Sequence, residues 1–189
     1  MAEDAMARRG RGLEEDYFHR KEQELIEKMR KRREAQAKQQ ELAEGTGTSN
    51  EEVLKTLHDL GYTRDTVLLL HLIPLISVAW ADDKVSGAER DLIIEAAVSR
   101  GILEDSAAYK QLTDWLTNRP SEEFVDQTLR VIIALADTEL PEEREMRRQN
   151  YLRLATQVAS ASGGILGLGN KISDEEQAVL DQLAKRLEK

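Results

Sequence analysis

Apolar positions along this chain fall in blocks separated by polar, glycine-bearing or proline-bearing turns, and each block reads as a helix. From Leu13 to Glu44 there is neither Gly nor Pro. Apolar residues are confined to the first half of that stretch, at Leu13, Tyr17, Phe18, Leu25, Ile26 and Met29. Glu24 with Lys28 and Glu27 with Lys31 are acid-before-base pairs at the i,i+4 spacing that supports an exposed helix. After Met29 the helix is polar all round, so it is expected to project from the body or fray. Gly45 to Thr48 reads as a linker. Ser49 followed by Glu52 forms a capping box opening a short helix that ends at Gly61. A helix from about Thr63 to Ala81 is apolar nearly throughout, with a kink expected at Pro74. The next runs from Ser86 to a glycine stop at Gly101. Another spans about Asp105 to Asn118 and carries Trp115. A fifth begins after Ser121 and buries Phe124, Leu129, Val131, Ile132, Ile133 and Leu135. Pro141 occupies a favoured first-turn position of a helix reaching about Ser160. A glycine-rich loop, Ser162 to Asn170, precedes the last helix from Ser173.

The expected architecture is all-α: a compact bundle of about seven helices over residues 49–189, preceded by a long projecting charged helix at 13–44. Residues 1–12 are small, charged and glycine-bearing, a composition that predicts disorder. A repeat runs through the bundle. Asp83-Lys-Val-Ser-Gly-Ala-Glu89 returns as Asn170-Lys-Ile-Ser-Asp-Glu-Glu176, with a looser relative at Ala136-Asp-Thr-Glu-Leu-Pro-Glu-Glu-Arg144. Each copy is a polar turn opening a helix, and the spacing predicts an internal pseudo-twofold repeat of helical hairpins.

Composition and charge narrow the chemistry. The chain has 189 residues, 33% of them charged and 4% aromatic, and no cysteine, which excludes disulfides, thiolate zinc sites and thiol catalysis. Eleven basic and eleven acidic residues balance within 1–44, so the net charge of −9 falls on residues 45–189. Such a domain repels phosphate backbones, and no nucleic-acid partner is expected. The longest apolar run, Val67 to Ala81, contains His71 and Pro74 and is shorter than the roughly 20 residues a bilayer span needs. No signal-peptide core is visible at the N-terminus, and a cytoplasmic location is the expectation.

Trp80-Ala-Asp-Asp-Lys-Val-Ser-Gly-Ala-Glu-Arg90, following an apolar helix, resembles the turn of the TerB-like family. That family includes tellurite-resistance TerB proteins and the N-terminal domain of the DjlA co-chaperone. The resemblance covers about residues 50–187 and is carried by all three turns. It implies a seven-helix, non-enzymatic domain with internal pseudo-symmetry, associated with stress responses and with divalent metal held by acidic residues near the turns. The positions that carry over are Asp82, Asp83 and Glu89 from the first turn, and Asp137, Glu139 and Glu143 from the second. The second turn is one residue short, and the third has Asn170 where Asp would be the better ligand. Helix capping explains the same residues without a ligand: Ser86 with Glu89, and Ser173 with Glu176, are capping boxes, and acids near a helix N-terminus are stabilised by its dipole. Any metal here should be hard and oxygen-liganded, calcium or magnesium, because nitrogen and sulfur ligands are absent nearby.

Other motifs carry less. Gly164 to Lys171 lacks the Lys-Ser/Thr ending and the preceding strand of a phosphate loop, and reads as a connector. His19, His58 and His71 are far apart, His71 reads as a hydrogen-bonded core residue, and no nucleophile–base arrangement argues for an enzyme. Lys28-Met-Arg-Lys-Arg-Arg33 is the one basic cluster and reads as a solvated or self-docking face. Glu14-Glu-Asp-Tyr-Phe18 with Glu24, Ile26, Met29, Arg30 and Lys31 resembles the inhibitory helix of the mitochondrial F1-ATPase inhibitor protein. That resemblance implies a protein partner, with Tyr17, Phe18, Leu25 and Met29 as anchors in its groove. The expected function is a non-catalytic stress or interaction module holding a divalent cation at its acidic turns. Its N-terminal helix would recruit a protein partner or a second copy. The alternative is a regulator, for example of an ATPase, acting chiefly through that helix.

Overall fold

The computed structural model describes residues 2–162 and 172–188, with side chains from His19 to Ala161 and from Ile172 to Glu188. Among the described residues every regular element is helical: α1 (Ala2–Thr46), α2 (Glu51–Asp59), a 3-10 helix (Val67–Leu72), α3 (Ile73–Ala79), α4 (Gly87–Val98), α5 (Ala107–Trp115), α6 (Glu122–Ala136), α7 (Pro141–Ser162) and α8 (Asp174–Leu187). No described helix is long and apolar enough to cross a membrane. The chain forms two compact units, residues 1–40 and 41–189.

The first unit is the larger part of α1. The helix begins at Ala2, whereas composition predicts disorder over 1–12. The Ala, Glu, Met and Arg residues there are good helix formers, and only Gly10 and Gly12 weigh against them. Lys31 pairs with Glu27 at 2.8 Å and Arg30 with Glu34 at 2.9 Å along its exposed surface. Its last residues, from Glu41, belong to the second unit, and Leu42 is buried in that unit's core. The helix therefore runs through Gly45 and Thr46 of the expected linker before Gly47 turns into the left-handed region.

In the second unit, local chemistry sets most helix starts. Ser86, Ser106, Ser121 and Ser173 each accept a hydrogen bond from the backbone N–H three residues on. This satisfies one of the N–H groups that a helix start leaves without a partner. Two starts differ from the sequence reading. The cap of α2 is Asn50, one residue after Ser49, because its carboxamide oxygen reaches both Glu52 N (3.0 Å) and Val53 N (3.3 Å). The segment read as one kinked helix over 63–81 is instead a 3-10 helix followed by α3. Pro74 stands in the first turn of α3, where its missing N–H costs nothing. Gly101, at φ 83°, ends the α4 region as expected.

α3 is the central strut, touching α4, α6, α7 and α8. One core cluster gathers Leu57, Leu69, Ile73, Ile76, Ile93 and Leu112, and a second gathers Val78, Leu129, Ile132, Tyr151, Ala155 and Leu180. Within the core, the Trp80 indole N–H donates to the Trp115 carbonyl at 2.9 Å. His71 is the hydrogen-bonded core histidine that the sequence predicts, with Nδ1 2.5 Å from the Tyr151 hydroxyl.

Candidate functional site

The strongest departure from ordinary packing lies where α4 and α8 begin. Both starts are complete capping boxes. Ser86 N donates to Glu89 Oε2 at 2.7 Å, and Ser173 N donates to Glu176 Oε2 at 2.7 Å. In return, Glu89 N donates to Ser86 Oγ and Glu176 N to Ser173 Oγ, at 3.3 and 3.1 Å. A capping glutamate is ordinarily a surface residue, yet Glu89 is 1% exposed and Glu176 is 2% exposed.

The Glu176 charge is near enough to Glu89 to act on its carboxyl. Burial pushes the Glu89 carboxyl above its ordinary value, the Ser86 hydrogen bonds oppose that rise, and the charges of Glu176 and Asp82 add to it. No cation is among these causes. Glu89 Oε1 is buried without a hydrogen-bond partner, so one carboxylate oxygen beside a second carboxylate is left uncompensated. Such an oxygen favours whatever brings positive charge: a proton or a metal ion.

The other acidic positions singled out from the sequence are differently placed. Asp82 is exposed, beside Glu89. Asp83 adopts φ 65°, a left-handed conformation that Asp tolerates better than most residues, and its carboxylate pairs with Arg119. Asp137 pairs with Arg144 at 3.4 Å and Glu139 pairs with Arg147. Glu143 Oε2 accepts from Leu140 N at 3.4 Å, a capping contact at the start of α7. The second-turn acids thus spend their charge on arginines and a helix end, although Glu139 Oε2, like Glu89 Oε1, is buried without a hydrogen-bond partner. Glu176 of the third turn, read from the sequence only as a cap, is the residue that joins Glu89. Asn170 and Lys171 of that turn, and the glycine loop before it, lie outside the described residues. Among the described residues, no group of three or more His, Asp or Glu side chains is arranged to hold a metal. The cluster therefore does not make a cage of six to eight oxygens for calcium.

A second cluster surrounds His71. Burial, then the charges of Arg147 and Arg100, lower its pKa to about 4, so the ring is neutral at pH 7. The same burial pushes the Tyr151 phenol up to about 12.

On α1, Leu25, Ile26 and Met29 are 58%, 59% and 50% exposed. The side chains of Tyr17 and Phe18, the other expected anchors, lie outside the described residues. No protein-family model matches the chain, and no curated protein or solved structure matches it significantly.

Proposed function

We propose that the chain is a non-catalytic, TerB-like interaction module of the stress-response type that holds a hard divalent cation between its converging helix starts. The observation that supports this reading is Glu89 Oε1, buried without a partner beside Glu176. Glu89 and Glu176 would hold the ion and Asp82 would face it from the solvent side. The ion would supply positive charge to Glu89 Oε1. It would draw α4 and α8 together and so bias the packing around α3. Asp83, Asp137, Glu139 and Glu143, engaged with Arg119, Arg144, Arg147 and a helix end, would contribute little. Calorimetry of magnesium and calcium into the full chain tests the reading. Heat is expected that Glu89→Ala or Glu176→Ala abolishes and Glu143→Ala leaves intact. A silent titration, or one indifferent to Glu89, refutes it.

A second reading places the main activity on the N-terminal helix, as an ATPase-inhibitor-like element that binds a protein groove. The exposure of Leu25, Ile26 and Met29 favours it. Leu25→Glu/Met29→Glu in the full chain should then release the principal co-purifying protein, and retention of that protein argues against the reading.

A further inference from the structure

At about 3.6 residues per turn, Leu25, Met29 and Arg32 fall on one line of α1, with Lys28 and Arg33 on either side of it. The acids Glu24, Glu27 and Glu34 fall on the opposite half, and Glu22 falls on the apolar face itself. The helix as a whole is balanced in charge, but on its apolar face Lys28, Arg32 and Arg33 outnumber Glu22. Arg30 and Lys31 are occupied by Glu34 and Glu27 on the far side. Among the described residues Lys28, Arg32 and Arg33 make no ion pair. Such a stripe is complementary to a groove with an apolar floor and an acidic rim.

Residues 41–189 carry the complementary shape. A groove of about 450 Å³ opens between α3, α6 and α8, floored by Ile76, Trp80, Val125, Leu129 and Val179. Its rim holds two paired arginines, Arg119 with Asp83 and Arg186 with Asp126, the latter carboxylate shared with Arg130. Glu122 and Glu123, in the first turn of α6, also line it and make no ion pair among the described residues. The rim charge left over is therefore negative, and one turn of helix carrying Leu25 and Met29 is of the size such a groove takes. The excess of acid over base lies on this same part of the chain.

We propose that the occupant of this groove is the α1 face of a second copy of the chain. Leu25 and Met29 would lie on the apolar floor while Lys28 and Arg32 meet Glu122 and Glu123. The exchange would be reciprocal, so that each copy gives one helix and receives one, in a closed isologous dimer. This inference rests on the reading of the N-terminal helix as a protein-binding element and names its partner.

Sedimentation equilibrium on the full-length chain tests it. The wild type should form a concentration-dependent dimer that weakens as salt rises. Lys28→Glu/Arg32→Glu and Glu122→Lys/Glu123→Lys should each raise the dimer dissociation constant by roughly tenfold or more. An equimolar mixture of the two variants should regain the dimer, because each then offers the charge the other needs. That rescue also shows that neither variant is merely misfolded. A dimer lost on helix reversal but indifferent to groove reversal would mean that α1 pairs with α1, and overturns the proposal. A monomer at all concentrations overturns it too. If, in that monomer, helix reversal still moves the tryptophan emission through Trp80, the chain's own helix is the occupant. A monomer that retains a heterologous partner through Leu25 and Met29 overturns the second-copy inference alone and leaves the helix-binding reading standing.

Discussion

Glu89→Gln separates the roles that one side chain plays at the start of α4. The substitution keeps a carbonyl oxygen to accept from Ser86 N, now held at 2.7 Å by Oε2, and removes the buried charge. Glu89→Ala removes both. Losing the acceptor leaves a part-buried N–H without its partner, which costs about 1–3 kcal/mol. In a chain of this length that is a melting shift of roughly 2–4 °C per kcal/mol. The Gln variant escapes this loss and is also relieved of the burial and the Glu176 and Asp82 charges that raise the Glu89 pKa. The sign follows from linkage. An acid with a folded pKa above its ordinary value of 4.5 contributes stability that is fully present below that value and lost as pH rises through the folded pKa. In chelator, Glu89→Gln should therefore equal or exceed the wild type at pH 8, and that advantage should vanish near pH 4.5. Glu89→Ala should lie below both at pH 8. Under the proposed function, adding magnesium should reverse the order. A ligand at a hundredfold excess over its Kd stabilises the wild type by about 2.7 kcal/mol, and the Gln variant should lose most of that gain. Urea denaturation at both pH values, with chelator and then with cation, reads all of these terms. A Gln variant as unstable as the Ala variant at pH 8 in chelator would refute the buried-charge argument. An equal cation response in wild type and Gln variant would refute the site.

Three further outcomes follow from the same reasoning. Ser173→Ala should cost about 1 kcal/mol by urea denaturation, since its hydroxyl caps α8 through Glu176 N. His71 should titrate near pH 4 by NMR; because its pKa is lowered, its contribution is present above 6.5 and is lost as pH falls from there towards 4, a term of order 3 kcal/mol. A His71 midpoint near 6.5 would mean that the ring is not buried beside Arg147 and Arg100 as described. Gly101→Ala should lower stability by about 1 kcal/mol through backbone strain alone, because φ is 83° and no atom crowds the added methyl.

What the sequence made legible is what is local. Ser86, Ser121 and Ser173 as caps, Gly101 as a stop and Pro141 as a first-turn residue are each decided within a few positions, and all-helical structure follows from them. The shift from Ser49 to Asn50 is a contest between two adjacent polar side chains, settled by which oxygen reaches two N–H groups. Pro74 sits equally well in a kink and in a first turn, and only the 3-10 geometry before it decides. The acidic turns could not be ranked from sequence because their partners are distant. Arg119 lies 36 residues beyond Asp83 and Glu176 87 residues beyond Glu89. The one hint of that last pairing was in plain view: the first and third turns share the Ser-x-x-Glu pattern, and the second does not.

Capping and cation binding, which compete as explanations at the sequence level, do not compete in the folded chain. A capping box uses one oxygen of its glutamate, here Oε2, to satisfy the backbone at the helix start. At an exposed helix the other oxygen is hydrated and the matter ends there. At Glu89 burial removes that water and the Glu176 charge adds to the cost, so the cap fixes the carboxylate in place and leaves Oε1 without a partner. Under the proposed function, the hydrogen bonds that hold the helix start would also pre-organise the site. Removing the cap by Ser86→Ala should weaken cation affinity as well as stability, although Ser86 offers the ion no oxygen in this geometry. Calorimetry of that variant, with affinity unchanged while stability falls, would separate the two roles and refute the coupling.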